Sequence, residues 1–138
     1  MSAEACRTTP AFGEGRCLCG AVRFEWRAPP LWSEHCHCES CRRQCSAPMT
    51  SFFAVADDAW EWTGETPKRF DSSPDVRRYF CGTCGSPMAY QVDTRPGETH
   101  FYAASMETPE AFVPEGESFP EERLPWGPRF PDLSSRDD

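Results

Sequence analysis

The 138-residue chain lacks any hydrophobic run that approaches the length of a membrane span, which excludes a transmembrane helix. Its first ten residues also lack an apolar run followed by a small-residue cleavage site, so we predict no secretory signal. We therefore expect a cytoplasmic location and no membrane partner. In that compartment thiols stay reduced, and a disulfide framework is disfavoured.

Positive charge is scarce. The sequence has 14 lysines and arginines against 22 aspartates and glutamates, a formal net charge of −8. The acidic excess is concentrated after residue 106, where nine acidic residues face three arginines. We do not expect nucleic acid as a partner, because the phosphate backbone is bound by basic surfaces. Residues 127–138 are interpreted as an acidic, proline-containing C-terminal tail.

Stretches free of helix breakers are short, since 14 prolines and 9 glycines interrupt the chain. The pattern predicts an all-β fold of short antiparallel strands with little helix. The strands are expected at residues 21–27, 49–55, 60–62, 68–70, 76–80, 88–92 and 99–103, and helical turns at 38–44 and 109–112. The length suits one domain, which we place at residues 15–126 after a mobile arm of residues 1–14.

Cysteine, in contrast, is abundant, and seven of the nine cysteines form three clusters with metal-ligand spacing: Cys17 and Cys19, then Cys36, Cys38 and Cys41, then Cys81 and Cys84. Spacing alone leaves two groupings open. The last pair could join Cys38 and Cys41 in a ribbon-like site, or it could join the first pair. Local geometry favours the second grouping, because three ligands within six residues can reach one ion from a single loop.

The second grouping gives two sites with different chemistry. We call the first the four-cysteine cluster (Cys17, Cys19, Cys81 and Cys84) and the second the cysteine triad (Cys36, Cys38 and Cys41). Four thiolates close a tetrahedral zinc site, which can then only hold structure. Three thiolates leave a fourth position open to water or substrate, and this indicates catalysis.

Several motifs stand in a fixed order: GRCLCGAV at 15–22, CHCESCRR at 36–43, SAP at 46–48, RYFCGTCGS at 78–86, PEAF at 109–112 and LPW at 124–126. In order and spacing they resemble the glutathione-dependent formaldehyde-activating enzymes and their centromere-protein-V-like relatives. These proteins share a zinc-bearing β-tent fold, and the resemblance covers about residues 15–126.

The resemblance implies two zinc ions per chain, a structural one on the four-cysteine cluster and a catalytic one on Cys36, Cys38 and Cys41. It also implies a carbon–sulfur lyase acting on an adduct of a small thiol, such as glutathione, and an aldehyde such as formaldehyde. Zinc could hold the thiol as thiolate or polarise the aldehyde, and three anionic ligands favour the first role. Ser46, residues 106–108 and Glu117 depart from the family pattern and leave the thiol's identity open.

Other polar side chains near the triad are candidates for lesser roles. Arg42 could pair with a substrate carboxylate, since its guanidinium presents a bidentate fork. His35 and His37 flank Cys36 and are expected to act outside the metal's first shell or to face solvent. Cys45 is expected to be a buried spare thiol, and Cys6 a free thiol in the N-terminal arm.

Two further classes of function compete with the lyase. A zinc-stabilised protein-binding module without catalysis would need closed metal sites, so a triad completed by Cys45 would favour it. A thiol redox protein using Cys38 and Cys41 is disfavoured, because the sequence has no βαβ pattern around them. The sequence fits either a monomer or a homodimer.

Overall fold

Strand β2 (Arg23–Trp26) has the period-two pattern that its sequence predicts, with Phe24 and Trp26 buried and the charged residues exposed. It is the centre of a three-stranded antiparallel sheet, between β1 (Gly13–Arg16) and β5 (Trp60–Trp62). The computed structural model describes residues 8–136. Cys6, for which we predict a free thiol, lies outside these residues.

A second sheet has eight strands: β3 (Trp32–Cys36), β4 (Thr50–Ala56), β6 (Lys68–Ser73), β7 (Val76–Phe80), β8 (Pro87–Val92), β9 (Glu98–Tyr102), β10 (Gly116–Ser118) and β11 (Ser134–Arg136). Their order across the sheet is β11-β10-β3-β4-β9-β8-β7-β6. The pairings from β3 through to β6 are antiparallel, whereas β10 pairs in parallel with both β3 and β11.

The one α-helix of the described residues, α1, is short and spans Glu39–Cys45. Cys38 caps its N-terminus, because the thiol of Cys38 accepts a hydrogen bond from the Cys41 amide. Single 3₁₀ turns lie at Asp57–Ala59, Ala103–Ser105, Pro109–Ala111 and Pro120–Glu122. Within residues 8–136 there is no helix long and apolar enough to cross a membrane.

The predicted all-β architecture is confirmed, and the seven expected strands correspond to β2, β4, β5, β6, β7, β8 and β9. The expected helical turns correspond to α1 and to the turn at Pro109–Ala111. Strands β1, β3, β10 and β11 were not predicted. Three of them have no apolar alternation, and β3 is buried along its whole length, so the period-two signal is missing.

The main core lies where the small sheet packs on the large one. Phe24 of β2 and Phe101 of β9 stack with ring centroids 4.2 Å apart and planes within 8° of parallel, and both are fully buried. Phe53 of β4 packs beside them, 5.8 Å from Phe101. Gly15 lets β1 approach this aromatic group, since an added Cβ would lie 2.5 Å from the Phe24 ring.

Packing also extends beyond residues 15–126 at both ends. Thr9 is buried, shares a hydrogen bond of 3.0 Å with Ser33 of β3, and accepts one from the Val113 amide. Strand β11 lies within the stretch that we interpret from the sequence as a tail. Strand β11 thus forms the edge of the large sheet beside β10, and the Thr9 side chain ties the N-terminal segment to β3.

Candidate metal centres and the adjoining cavity

The four-cysteine cluster forms where two turns meet. Cys17 and Cys19 lie in the turn between β1 and β2, and Cys81 and Cys84 lie in the turn between β7 and β8. The Cys17 and Cys19 sulfurs are 3.6 Å apart, and the Cys19 and Cys81 sulfurs are 3.7 Å apart. All four sulfurs lie within 4.8 Å of one another. The β1–β2 turn of the small sheet and the β7–β8 turn of the large sheet thus bring their cysteines to one place.

Backbone amides point at the sulfurs of this cluster. Val22 donates to Cys17 across 3.3 Å, and Thr83 and Cys84 donate to Cys81 across 3.3 and 3.4 Å. A hydrogen bond with the Ser86 hydroxyl, together with backbone donors, lowers the pKa of Cys84 to about 5. Amide donors favour the thiolate form, so this donor set fits a four-coordinate zinc ion.

The cysteine triad is built by the end of β3 and the start of α1. Cys36 is the last residue of β3, Cys38 is the N-cap of α1, and Cys41 lies in its first turn. The three sulfurs lie within 4.8 Å of one another, and Cys36 and Cys41 are buried. A strand end followed at once by a helix turn is what allows three residues so close in sequence to converge.

Crowding keeps these three thiols from ionising together. Hydrogen bonds with Cys38 and Cys41, together with burial, raise the pKa of Cys36. Thiol hydrogen bonds from Cys36 and Cys41 lower the pKa of Cys38 to about 2. Three thiolates this close together would repel one another, and a dication is the partner that would allow all three to ionise. The donor set fits zinc with a fourth position left over.

A cavity of about 360 Å³ adjoins the triad. All three triad cysteines line it, whereas no member of the four-cysteine cluster is among its lining residues in the described part of the chain. Much of the remaining wall is apolar or aromatic and comes from Trp32, Phe52, Val76, Tyr90, Val92 and Phe119. The two cysteine groups therefore differ in what they face as well as in number.

A carboxylate orients two rings in this wall. Glu98 accepts hydrogen bonds from Nε1 of Trp32 across 3.0 Å and from Nε2 of His100 across 2.7 Å. Burial alone would raise the pKa of Glu98, but these hydrogen bonds outweigh it, and the pKa lies below its ordinary value. An ionised Glu98 therefore fixes the orientation of the His100 ring at the cavity.

Most of the other candidate residues lie apart from the triad. Arg42 donates from Nε to the His37 carbonyl and borders a different surface groove, with Leu124 and Trp126. Cys45 is half-buried, contacts the Gln44 side chain at 3.3 Å, and is not part of the triad's ligand group. Its thiol therefore does not complete the triad in this conformation.

The two histidines beside Cys36 have partners other than a metal group. His35 shares a hydrogen bond of 2.8 Å with Ser51, and its ring stacks on Phe130. His37 is fully buried, and its Nε2 lies 2.7 Å from Oε1 of Glu117. Neither ring belongs to the triad's ligand group.

Sequence reasoning missed the basic residues that do lie near the triad. Arg78 of β7 donates to the Cys41 sulfur, and Arg95, after β8, lines the cavity with its guanidinium 5.4 Å from the centre of the Trp32 ring. A signal for Arg78 was present, because it shares a strand face with the apolar Val76. No signal in the sequence identifies Arg95.

Comparison with known proteins finds a matching family model, a curated relative and similar solved structures. A family model described as glutathione-dependent formaldehyde-activating enzyme matches residues 13–122. An uncharacterized lyase of Schizosaccharomyces pombe is 31% identical over 77 residues, which is 56% of this chain and 56% of that protein. A crystal structure of a Rhodobacter sphaeroides protein has a TM-score of 0.58 at 24% identity and covers 68% of this chain and 87% of its own. That structural likeness concerns the fold alone.

Proposed function

Since the chain belongs to the glutathione-dependent formaldehyde-activating enzyme family, we propose that it is a zinc-dependent carbon–sulfur lyase that acts on the adduct of a small thiol and an aldehyde. Cys36, Cys38 and Cys41 hold the catalytic zinc in this proposal, and the four-cysteine cluster holds a structural one. This chain spans about half the length of the curated relative that carries the name lyase. The activity is therefore proposed from the family and the site.

One observation carries the proposal: the triad lines the cavity, and the four-cysteine cluster does not. A substrate in this cavity reaches three thiols that leave one metal position available, while the other site is already complete with four. A protein-binding module without catalysis requires only closed metal sites, and it does not need a cavity beside a site that lacks a fourth ligand. The arrangement therefore favours the enzyme.

The reaction balances without any oxidant or reductant. In the forward direction the thiol sulfur bonds to the aldehyde carbon, the C=O π pair moves onto oxygen, and the thiol proton ends on that oxygen. In reverse the hydroxyl proton leaves, the C=O π bond forms again, the C–S bond breaks, and the sulfur keeps the electron pair and takes up the proton. Zinc bound at the triad would supply positive charge that stabilises the thiolate or polarises the carbonyl.

His100 is the titratable ring that this chain offers for the proton. Its Nε2 is engaged by Glu98 across 2.7 Å, so a proton exchanged in the cavity would be carried on Nδ1. Glu98 is not among the residues that line the cavity, and it acts by orienting the His100 ring through their hydrogen bond. We also retain the prediction of a cytoplasmic location, because reduced thiols are required at both cysteine groups.

Zinc content and turnover together test the proposal. Metal mass spectrometry should give two zinc ions per chain, falling to one in Cys36→Ser with circular dichroism unchanged. NMR exchange spectroscopy should detect faster formation and decay of thiol–formaldehyde adducts with the native protein only. Cys45→Ser is the matched control and should keep both ions and full activity. Loss of a zinc ion in Cys45→Ser, or two zinc ions without any turnover, would instead support the binding module.

A further inference from the structure

Aromatic side chains form much of the wall of the triad's cavity, beside several polar ones. Four aromatic rings line it, from Trp32, Phe52, Tyr90 and Phe119. Phe52 and Tyr90 are 6.0 Å apart between ring centres and tilted by 46°, so they form an angled wall and not a flat stack. Such surfaces favour aromatic and branched apolar groups through area burial and edge contacts.

Phe119 is held at the cavity by an unusual backbone. Its φ of 53° and ψ of 50° lie in the left-handed region, which is unfavourable for a residue with a large side chain. It directly follows β10, whose parallel pairing with β3 fixes the chain on one side, and a 3₁₀ turn begins at Pro120 on the other. This conformation places the Phe119 ring among the residues that line the cavity.

The lining also carries a few charged and polar side chains. Among the lining residues that the structure describes, Arg95 is cationic and Glu34 and Asp75 are acidic. Ser73, Thr94 and Ser118 add hydroxyl groups. These groups can fix the polar end of a substrate, and the aromatic side chains are left to bind its apolar part.

The size of the cavity suits an aromatic substrate. An engineered apolar cavity of about 150 Å³ accommodates a benzene molecule. The present cavity of about 360 Å³ therefore has room for one ring and for the short chain that carries sulfur and the aldehyde carbon.

From the aromatic lining, the backbone of Phe119 and the volume of the cavity we infer that the adduct handled at the triad carries an aromatic or branched apolar group, which binds between Trp32, Phe52, Tyr90 and Phe119, and that such a thiol is preferred over glutathione. The inference rests on the proposed lyase function and specifies the thiol for that same site. It requires no chemistry beyond the balanced addition given above.

The test compares two thiols with formaldehyde as the common aldehyde. Adduct formation and decay with benzyl mercaptan and with glutathione are measured by NMR exchange spectroscopy on the zinc-loaded protein. Binding of the unreactive thioether benzyl methyl sulfide is measured separately by calorimetry. Because burying one aromatic group favours binding by a factor of roughly 10 to 100, we expect kcat/KM for benzyl mercaptan to exceed that for glutathione by about this factor.

Phe119→Gly is the informative variant. Glycine accepts the left-handed backbone that Phe119 adopts, so the loop keeps its conformation while the ring is removed. We expect kcat/KM for benzyl mercaptan to fall roughly tenfold, with the value for glutathione little changed. Phe70→Ala is the control, because Phe70 lies on the exposed strand β6, outside the cavity lining. It should leave both values unchanged.

The outcomes separate this inference from the proposed function. Glutathione turned over as well as benzyl mercaptan would overturn the inference and leave the lyase intact. Tight binding of benzyl methyl sulfide, weakened by Phe119→Gly, without turnover of either thiol would overturn the lyase and keep the aromatic ligand. Neither turnover nor binding would overturn both.

Discussion

Arg78 of β7 donates a hydrogen bond from Nη1 to the sulfur of Cys41 across 3.8 Å. The guanidinium is buried, lies 4.9 Å above the Tyr90 ring and also donates from Nε to Ser72. A fixed positive charge on the large sheet is thus in contact with the helix that carries two triad cysteines. It offsets part of the negative charge that three thiolates would bring together.

Replacing Arg78 should weaken metal binding at the triad. We expect Arg78→Met to lower the triad's zinc affinity by roughly 10- to 100-fold, because partners of metal ligands have effects of that size. Competition with a fluorescent chelator measures this affinity. Arg78→Lys should recover part of this zinc affinity, because it restores the positive charge but lacks the planar guanidinium group. Arg77→Met is the control, since Arg77 forms a surface pair with Asp93, and unchanged affinity in Arg78→Met would contradict the role.

The two cysteine groups should differ sharply in their effect on stability. We expect Cys81→Ser to reduce the free energy of unfolding by at least ~3 kcal/mol, because a structural zinc ion contributes roughly 10 kcal/mol or more of binding energy to folding. Cys41→Ser should cost less, since the triad does not join the two sheets. Thermal unfolding followed by circular dichroism compares them. Equal losses in the two variants would be incompatible with a purely structural role for the four-cysteine cluster.

Gly15→Ala should destabilise the contact between the small sheet and the core. The added Cβ would lie 2.5 Å from the Phe24 ring and 2.9 Å from the Ser105 carbonyl oxygen, distances that force a shift of one side. Overpacking of this kind costs roughly 1–3 kcal/mol. Glu14→Ala is the matched control on the same strand, because Glu14 is exposed. Urea unfolding of both variants gives the comparison.

Acid should remove the stability that Glu98 contributes. Its pKa in the folded state is lowered, so the contribution is complete above the unfolded value of about 4.3 and is lost as the pH falls through the folded value. We therefore expect Glu98→Gln to be less stable than the native protein at pH 7 and the difference to shrink below about pH 4. Chemical unfolding at a series of pH values measures this difference. Release of metal at low pH affects both proteins, so it cancels when the two are compared. A difference independent of pH would exclude the effect.

The sequence could predict the cysteine triad because its ligands are close in sequence, whereas joining Cys17 and Cys19 to Cys81 and Cys84 also required the triad to be set aside as a separate site. Cys36, Cys38 and Cys41 are close enough to share one ion whatever the rest of the chain does, and the turns at Cys17 and Cys81 carry the spacing of metal ligands. The structure brings both groups together as expected. The strands with a clear alternation of apolar and polar residues could also be predicted from the sequence.

The cavity could not be predicted, because its walls come from strands far apart in sequence. Tyr90 and His100 reach it only through the order β4-β9-β8-β7, and Phe119 only through the parallel pairing of β10 with β3. That pairing joins two segments without an alternating pattern. Arg42 attracted attention because it adjoins the triad in sequence, whereas Arg78 contacts it in space.

The four-cysteine cluster joins sulfurs that are 62 residues apart in the chain, Cys19 and Cys81. During synthesis on the ribosome, the triad is complete once residue 41 has emerged, but the four-cysteine cluster has to wait for Cys84. Forming the four-cysteine cluster costs the entropy of closing a long loop, and it fixes the turns of the two sheets to each other at the same time. If both cysteine groups bind zinc as proposed, the nascent chain is therefore expected to acquire metal at the triad before it does so at the four-cysteine cluster.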